Sequence, residues 1–224
     1  MPRDAEKLSR LAQSAYDSPY SRSGAPTPHP TGDPYTLCRS QALSTLEAMG
    51  YDPQTMIERG VLWAEDQDPF GHVKQSKFMQ FLGIGLHRTM ESFGEFLNEK
   101  EYDDMLHAKT VIPVVRKYEL EIRRQVQYPD SLIIANRQDR MEPTRYHGTT
   151  SLFSLKQQAI VAEVKGSVTF IDVGTSRPTD IRSLGGGWLK LYEGFIKKVE
   201  RAQMLKHNWD QKKSGAAINV RSKI

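Results

Sequence analysis

The chain has 224 residues, 38% of them hydrophobic, with one cysteine and a formal net charge of +4. That length suits one domain with extensions or at most two small ones, and a lone Cys38 excludes an internal disulfide or a thiolate metal cage. No apolar run approaches the ~18–20 residues of a bilayer span and no signal-peptide core opens the chain, so an intracellular protein, cytoplasmic or mitochondrial, is expected. The charge is uneven: from Leu184 onward nine Lys/Arg stand against three Asp/Glu. Such a tail can meet nucleic acid, anionic lipid or a phosphorylated ligand. The solvated face of a helix is the commoner outcome, so nucleic acid is the minor reading.

Asp4–Tyr16 carries apolar residues at helical spacing, and Ser18–Tyr35, with Pro19, Pro26, Pro28, Pro30 and Pro34, reads as a polyproline-like coil. A helix over Thr36–Met49, closed by Gly50, follows, then a turn opened by Pro53 and a strand over Val61–Glu65. A long helix is predicted from about Lys74 to Leu97, with Phe78, Leu82, Leu86, Met90 and Phe93 on one face. Gly83 and Gly85 inside it cost roughly 1 kcal/mol each unless another backbone crosses closely, as in a helix cradled by a curved sheet.

From Lys109 the pattern turns to strands: Thr110–Val115, Tyr118–Arg124, Ser131–Gln138, Arg145–Leu155 and Ile160–Asp172, joined mostly by short turns that favour antiparallel pairing. Gly185–Gly187 leads into a helix over Trp188–Asn208, and the last dozen residues read as disordered.

The turn Asp66-Gln67-Asp68-Pro69-Phe70-Gly71-His72 concentrates two carboxylates, a Pro, a Gly and a His in seven residues. It delivers an acid to the start of a helix whose first N–H groups lack internal partners. An Asp before a Pro at such a place is also an ordinary helix cap. The six His residues show no metal-ligand spacing, Gly83–Gly85 is no dinucleotide fingerprint, Gly185–Gly187 is no phosphate loop, and no Ser sits in a nucleophile elbow.

The stretch from about Gly60 to Ile181 resembles the hotdog-fold acyl-CoA thioesterases of the 4-hydroxybenzoyl-CoA thioesterase type. Their first motif, approximately W-x-D-x-D-x-x-G-H-V-N-N-x-x-Y, corresponds to the run from Trp63 through Asp68, Gly71 and His72 to Phe78. A basic strand ending in a Pro-Asp turn matches Arg123–Leu132, and a final strand running into Arg-Pro and Ile matches Phe170–Asp172 with Arg177–Ile181. Lys74 and Gln75 replace the two motif asparagines, Phe78 replaces the tyrosine, and the glutamate often found on the inner helix is absent near Gly83.

The resemblance implies an α+β hotdog fold: an antiparallel sheet wrapped around a long central helix, here over 60–183. A helical and Pro-rich extension (1–59) and a basic helix and tail (184–224) flank it. It implies a cofactor-independent, metal-free thioesterase acting on acyl-CoA as a homodimer or homotetramer. Asp68 matches the family's nucleophile or general base. His72 orients it or meets substrate, and Gly71 admits the carbonyl to the backbone. Asp66 is read as structural. Gln75 is a candidate water or carbonyl contact in place of the missing Asn, Phe78 is a candidate wall of the acyl slot, and Arg137, Arg140 and Arg145 are candidates for the CoA phosphates. Two other readings stay open: a non-catalytic hotdog acting as a structural or RNA-associated subunit of a larger assembly, and a hydroxyacyl-thioester dehydratase using Glu91 or Glu95.

Overall fold

The computed structural model describes residues 33–221 together with Leu11, Ser18 and Pro19, with side chains as far as Ser214. The helix expected over Asp4–Tyr16 and nearly all of the Pro-rich coil lie outside the described residues.

Helix α1 (Thr36–Ala48) buries Ala42, Leu43 and Leu46, and the chain turns at Gly50 before a short 3-10 turn, Pro53–Thr55. Strand β1 then runs over Ile57–Gly60, ahead of the strand expected at Val61–Glu65. Its polar residues hid it. Glu58 is buried, with the Arg39 guanidinium donating to its two oxygens at 2.6 and 2.8 Å and the Ser131 hydroxyl at 2.8 Å. Instead of continuing as strand, Trp63–Asp66 forms one helical turn, α2, because the Asp66 carboxylate reaches back to accept the Leu62 N–H at 2.8 Å.

Helix α3 (Gln75–Glu91) is the predicted central helix, starting one residue later and passing into a 3-10 turn at Ser92–Glu95. Helix α4 (Glu99–Leu106) opens with a reciprocal cap between Asn98 and Glu101. Five further strands follow: β2 (Val111–Ile122), β3 (Ser131–Glu142), β4 (Arg145–Ser154), β5 (Ala159–Asp172) and the two-residue β6 (Arg177–Pro178). The two strands predicted on either side of Arg116 are one, β2, kinked by a bulge between Val115 and Lys117. Helix α5 (Gly186–Arg221) begins two residues before the predicted Trp188 and runs well past Asn208, through most of the tail read as disordered.

All pairings are antiparallel, in the order β1-β3-β4-β5-β2, with β6 on the end of β5. The sheet curls around α3, whose Phe78, Phe81 and Leu82 pack with Ile134, Leu152 and Val164. On the outer face α1 covers Ile133, Ala135 and Phe153. At the far end α5 closes the half-barrel with aromatic rings. Phe195 meets Phe93 at 5.5 Å and Tyr146 at 5.4 Å, edge to face. The Gln203 amide donates to the Asp139 carbonyl, so α5 also covers the stretch of β3 that β1 leaves unpaired.

The two α3 glycines differ in kind. A Cβ on Gly85 would lie 2.8–2.9 Å from atoms of Thr150, Asn136 and Ile134, whereas one on Gly83 meets nothing within 4 Å. Gly85→Ala is therefore expected to destabilise by about 1–3 kcal/mol through overpacking. Gly83→Ala is expected to stabilise by up to ~1 kcal/mol through helix propensity. Urea denaturation of the two variants checks both signs.

Candidate active site

Asp66 anchors the turn. It is fully buried, its second oxygen 3.3 Å from the Lys77 ammonium of α3 and 3.8 Å from the Arg59 guanidinium of β1. One carboxylate thus ties β1, α2 and α3 together, which is the structural role read from the sequence. The Lys74 N–H donates to the Asp66 carbonyl at 2.8 Å, setting the direction in which α3 leaves.

Between Gln67 and Val73 the chain folds into a tight hairpin. The Asp68 N–H donates to the His72 carbonyl at 2.8 Å, the Gly71 N–H to the Asp68 carbonyl at 3.1 Å, and the Val73 N–H to the Val126 carbonyl at 2.8 Å. Gly71 has φ +78°, a left-handed conformation that closes the hairpin and strains any other L-residue. Half-buried Asp68 accepts the backbone N–H groups of Phe70 (2.9 Å) and His72 (3.0 Å) on one carboxylate oxygen. Its other oxygen accepts nothing among the described residues. The contact that His72 makes with Asp68 runs through its backbone N–H.

The same hydrogen bonds decide which oxyanion donors remain. The N–H groups of Phe70, Gly71, His72, Val73 and Lys74 are all consumed within the turn or by Val126. Helix α3 has no side-chain cap, so the N–H groups of Gln75 and Ser76 are left without an acceptor among the described residues. Positive helix-terminus potential is therefore concentrated one turn beyond Asp68, at an exposed position.

The other predicted residues divide. Gln75 stands exposed on the first turn of α3, beside the carboxylate turn, whereas Phe78 is 2% exposed and belongs to the core. The three arginines lie toward the other end of β3. Arg137, on the outer face, donates to Asp139, to the Met49 carbonyl and to Thr149, while Arg140 and Arg145 both pair with Glu142. At ~3.3 Å per residue, Arg137 is roughly 20 Å along the strand from Asp130, the residue beside the turn. Within one chain the structure does not bring them to Asp68.

An aromatic wall escaped the sequence reading. Trp63 is 67% exposed and stands edge-on to Tyr128 at 5.9 Å, and Phe70, at the tip of the turn, is 80% exposed. The Tyr128 N–H donates to the Gln67 side chain, so the Pro-Asp turn and the acidic turn are held side by side. Large apolar side chains left in water beside an acidic turn are the signal that exposure reveals and a motif does not.

Asp130 fastens the second turn. Its buried carboxylate accepts the Ser154 hydroxyl at 2.5 Å and the N–H groups of Ser131 and Lys156 at 2.8 and 3.0 Å. Burial raises its pKa above the ordinary carboxylate value, although these hydrogen bonds oppose the shift. Between the unfolded pKa near 4 and the raised folded value, the folded chain holds more protons, so stability falls as pH rises through that window. The stability of the wild type relative to Asp130→Asn is thus expected to be greatest well below pH 4 and to decline above it, as read from denaturant midpoints at a series of pH values.

Residues 61–189 match the model of the thioesterase-like superfamily. The chain belongs to that superfamily, and its architecture is the hotdog of α+β class. Among solved structures it is similar to a DHNA-CoA thioesterase from Staphylococcus aureus, at 13% identity and TM-score 0.52, covering 63% of this chain and 90% of that one. A second Staphylococcus aureus protein, solved in complex with CoA, aligns at 12% identity and TM-score 0.53, covering 64% and 84%. A 1,4-dihydroxy-2-naphthoyl-CoA thioesterase from Synechocystis aligns at 12% identity and TM-score 0.50, covering 61% and 93%. At such identities the likeness speaks for the fold. No curated protein matches the sequence. Among the described residues no helix is long and apolar enough to cross a membrane.

Proposed function

We propose that this protein hydrolyses acyl-CoA thioesters at the Asp68 turn. The observation that carries the reading is the division of labour at that turn. One Asp68 oxygen is fixed by two backbone N–H groups and the other is left open, next to a helix that begins with two unused N–H donors. The open oxygen takes a proton from the attacking water, or attacks the thioester carbon itself to give an acyl-aspartyl anhydride that water then cleaves. The Gln75 and Ser76 N–H groups receive the carbonyl oxygen as it becomes negative, and the CoA thiolate leaves. Trp63, Phe70 and Tyr128 offer an apolar wall to the entering substrate.

Superfamily membership and the CoA complex of a similar structure support the choice of substrate class. Lys74 directly follows the turn, its ammonium donating to the Glu65 carbonyl and, among the described residues, to no carboxylate, and it is the cation we assign to a CoA phosphate. β2 is an edge strand, paired only with β5 among the described residues, and ends in 40%-exposed Ile122. Joining it to a second copy would cover that edge and form the homodimer the family resemblance implies. The test is release of free CoA thiol from a panel of short, long and aromatic acyl-CoAs. Turnover of at least one class above the uncatalysed rate supports the reading, and none across the panel sinks it.

A further inference from the structure

A second feature lies under the opposite end of α3, about 16 Å from the Asp68 turn by helix rise. One row of residues across the concave face of the sheet reads Gln138, Gly148, Gly166 and Tyr118, each paired with the next across neighbouring strands. Two adjacent glycines in the middle of a sheet sacrifice strand propensity and packing, and need a reason. Close approach of the central helix is not that reason. A Cβ at either position would first meet a neighbouring-strand carbonyl, that of Arg137 or Lys117 at 3.0 Å, and no atom of α3. At Gly85 the helix does press on the sheet. At Gly148 and Gly166 the missing side chains leave a cavity instead.

The cavity holds about 30 Å³, roughly twice what one water needs, beneath Leu86. Its wall includes Tyr146, which is 4% exposed and whose hydroxyl is buried with no hydrogen-bond partner among the described residues. Buried hydroxyls are nearly always satisfied, so one left open on a cavity floored by glycine points to a missing partner. Burial raises the pKa of this phenol and the neighbouring Tyr118 raises it further, so it stands there as a neutral hydroxyl. The Gln138 amide, also buried, lies across the row from Tyr118. No carboxylate or ammonium side chain lines the space; Arg137, which borders it, is directed to Asp139 on the outer face.

We propose that this chamber is a binding site for a small neutral group carrying a hydroxyl or carbonyl oxygen, which hydrogen-bonds to Tyr146. The site is separate from the Asp68 turn and its occupancy does not depend on thioester hydrolysis. The probe is methanol, whose two heavy atoms suit this volume, titrated into methyl-labelled full-length protein and followed by NMR at Leu86, Val164 and Val168. Saturable shifts are expected, weakened about tenfold in Tyr146→Phe, which keeps the ring packing against Phe93 and Phe195. Ethane, which has methanol's size without its oxygen, is expected to bind more weakly than methanol. Absence of a saturable methanol shift, equal binding by Tyr146→Phe, or equal binding of ethane overturns the proposal, whether or not the protein turns over acyl-CoA.

Discussion

Asp68→Asn is expected to lower kcat/KM for the preferred acyl-CoA by roughly 10²–10⁴-fold, the usual worth of a positioned acid or base. The fold is expected to survive. The asparagine side-chain oxygen can still accept the N–H groups of Phe70 and His72, so the hairpin keeps both bonds that hold it. Asp68→Ala removes that acceptor as well, and costs a further ~1–2 kcal/mol of stability in the turn. The pair of variants separates chemistry from capping. A residue that merely caps would leave Asn fully active and make Ala the damaged variant through stability alone. If Asp68 carries the reaction, both variants lose turnover and only Ala also loses stability. Kinetics and urea midpoints on the same preparations read the difference.

Arg39→Met is the second large effect, and it falls on the fold. Arg39 and Glu58 have side chains 2% and 1% exposed, joined by two charge-assisted hydrogen bonds between α1 and β1. Asp33 also pairs with Arg39, and Ser131 carries the link into β3. Removing the guanidinium leaves the Glu58 carboxylate buried without its main counter-charge, a loss of about 3–5 kcal/mol. Replacing both partners, Arg39→Met with Glu58→Leu, removes the stranded charge and is expected to recover most of that loss. A urea double-mutant cycle checks this, and the coupling between the sites is expected to exceed about 1 kcal/mol. The pair matters to the site because β1 also carries Arg59, which with Lys77 faces Asp66.

The same ion pair explains where sequence reading went astray. Periodicity found α1, the central helix and the long strands, because their buried faces are apolar and regularly spaced. It missed β1, since Glu58 looks like a surface residue until Arg39 is known to lie beside it. It split β2 at Arg116, where a bulge interrupts the alternation without ending the strand. At the turn, residue types marked the acidic hairpin, and the family resemblance singled out Asp68 and left Asp66 to structure. They could not tell which N–H groups remain free. Those nearest the acid are spent inside the hairpin, and the open donors move on to Gln75 and Ser76. The arginines looked clustered because a hairpin brings Arg140 and Arg145 near Glu142, yet their distance from Asp68 is set by the length of β3. The glycine-floored chamber is invisible in the chain. Gly148 and Gly166 are 18 positions apart, and only the β4–β5 register makes them neighbours.

The most direct measurement of the site is a crystal structure of Asp68→Asn with an intact acyl-CoA trapped by the slow variant. The thioester carbonyl oxygen is predicted within about 3 Å of the Gln75 or Ser76 N–H, with the substituted side chain of the hairpin facing the carbonyl carbon. A thioester bound away from the start of α3, for instance along the outer face beside Arg137, would contradict the assignment.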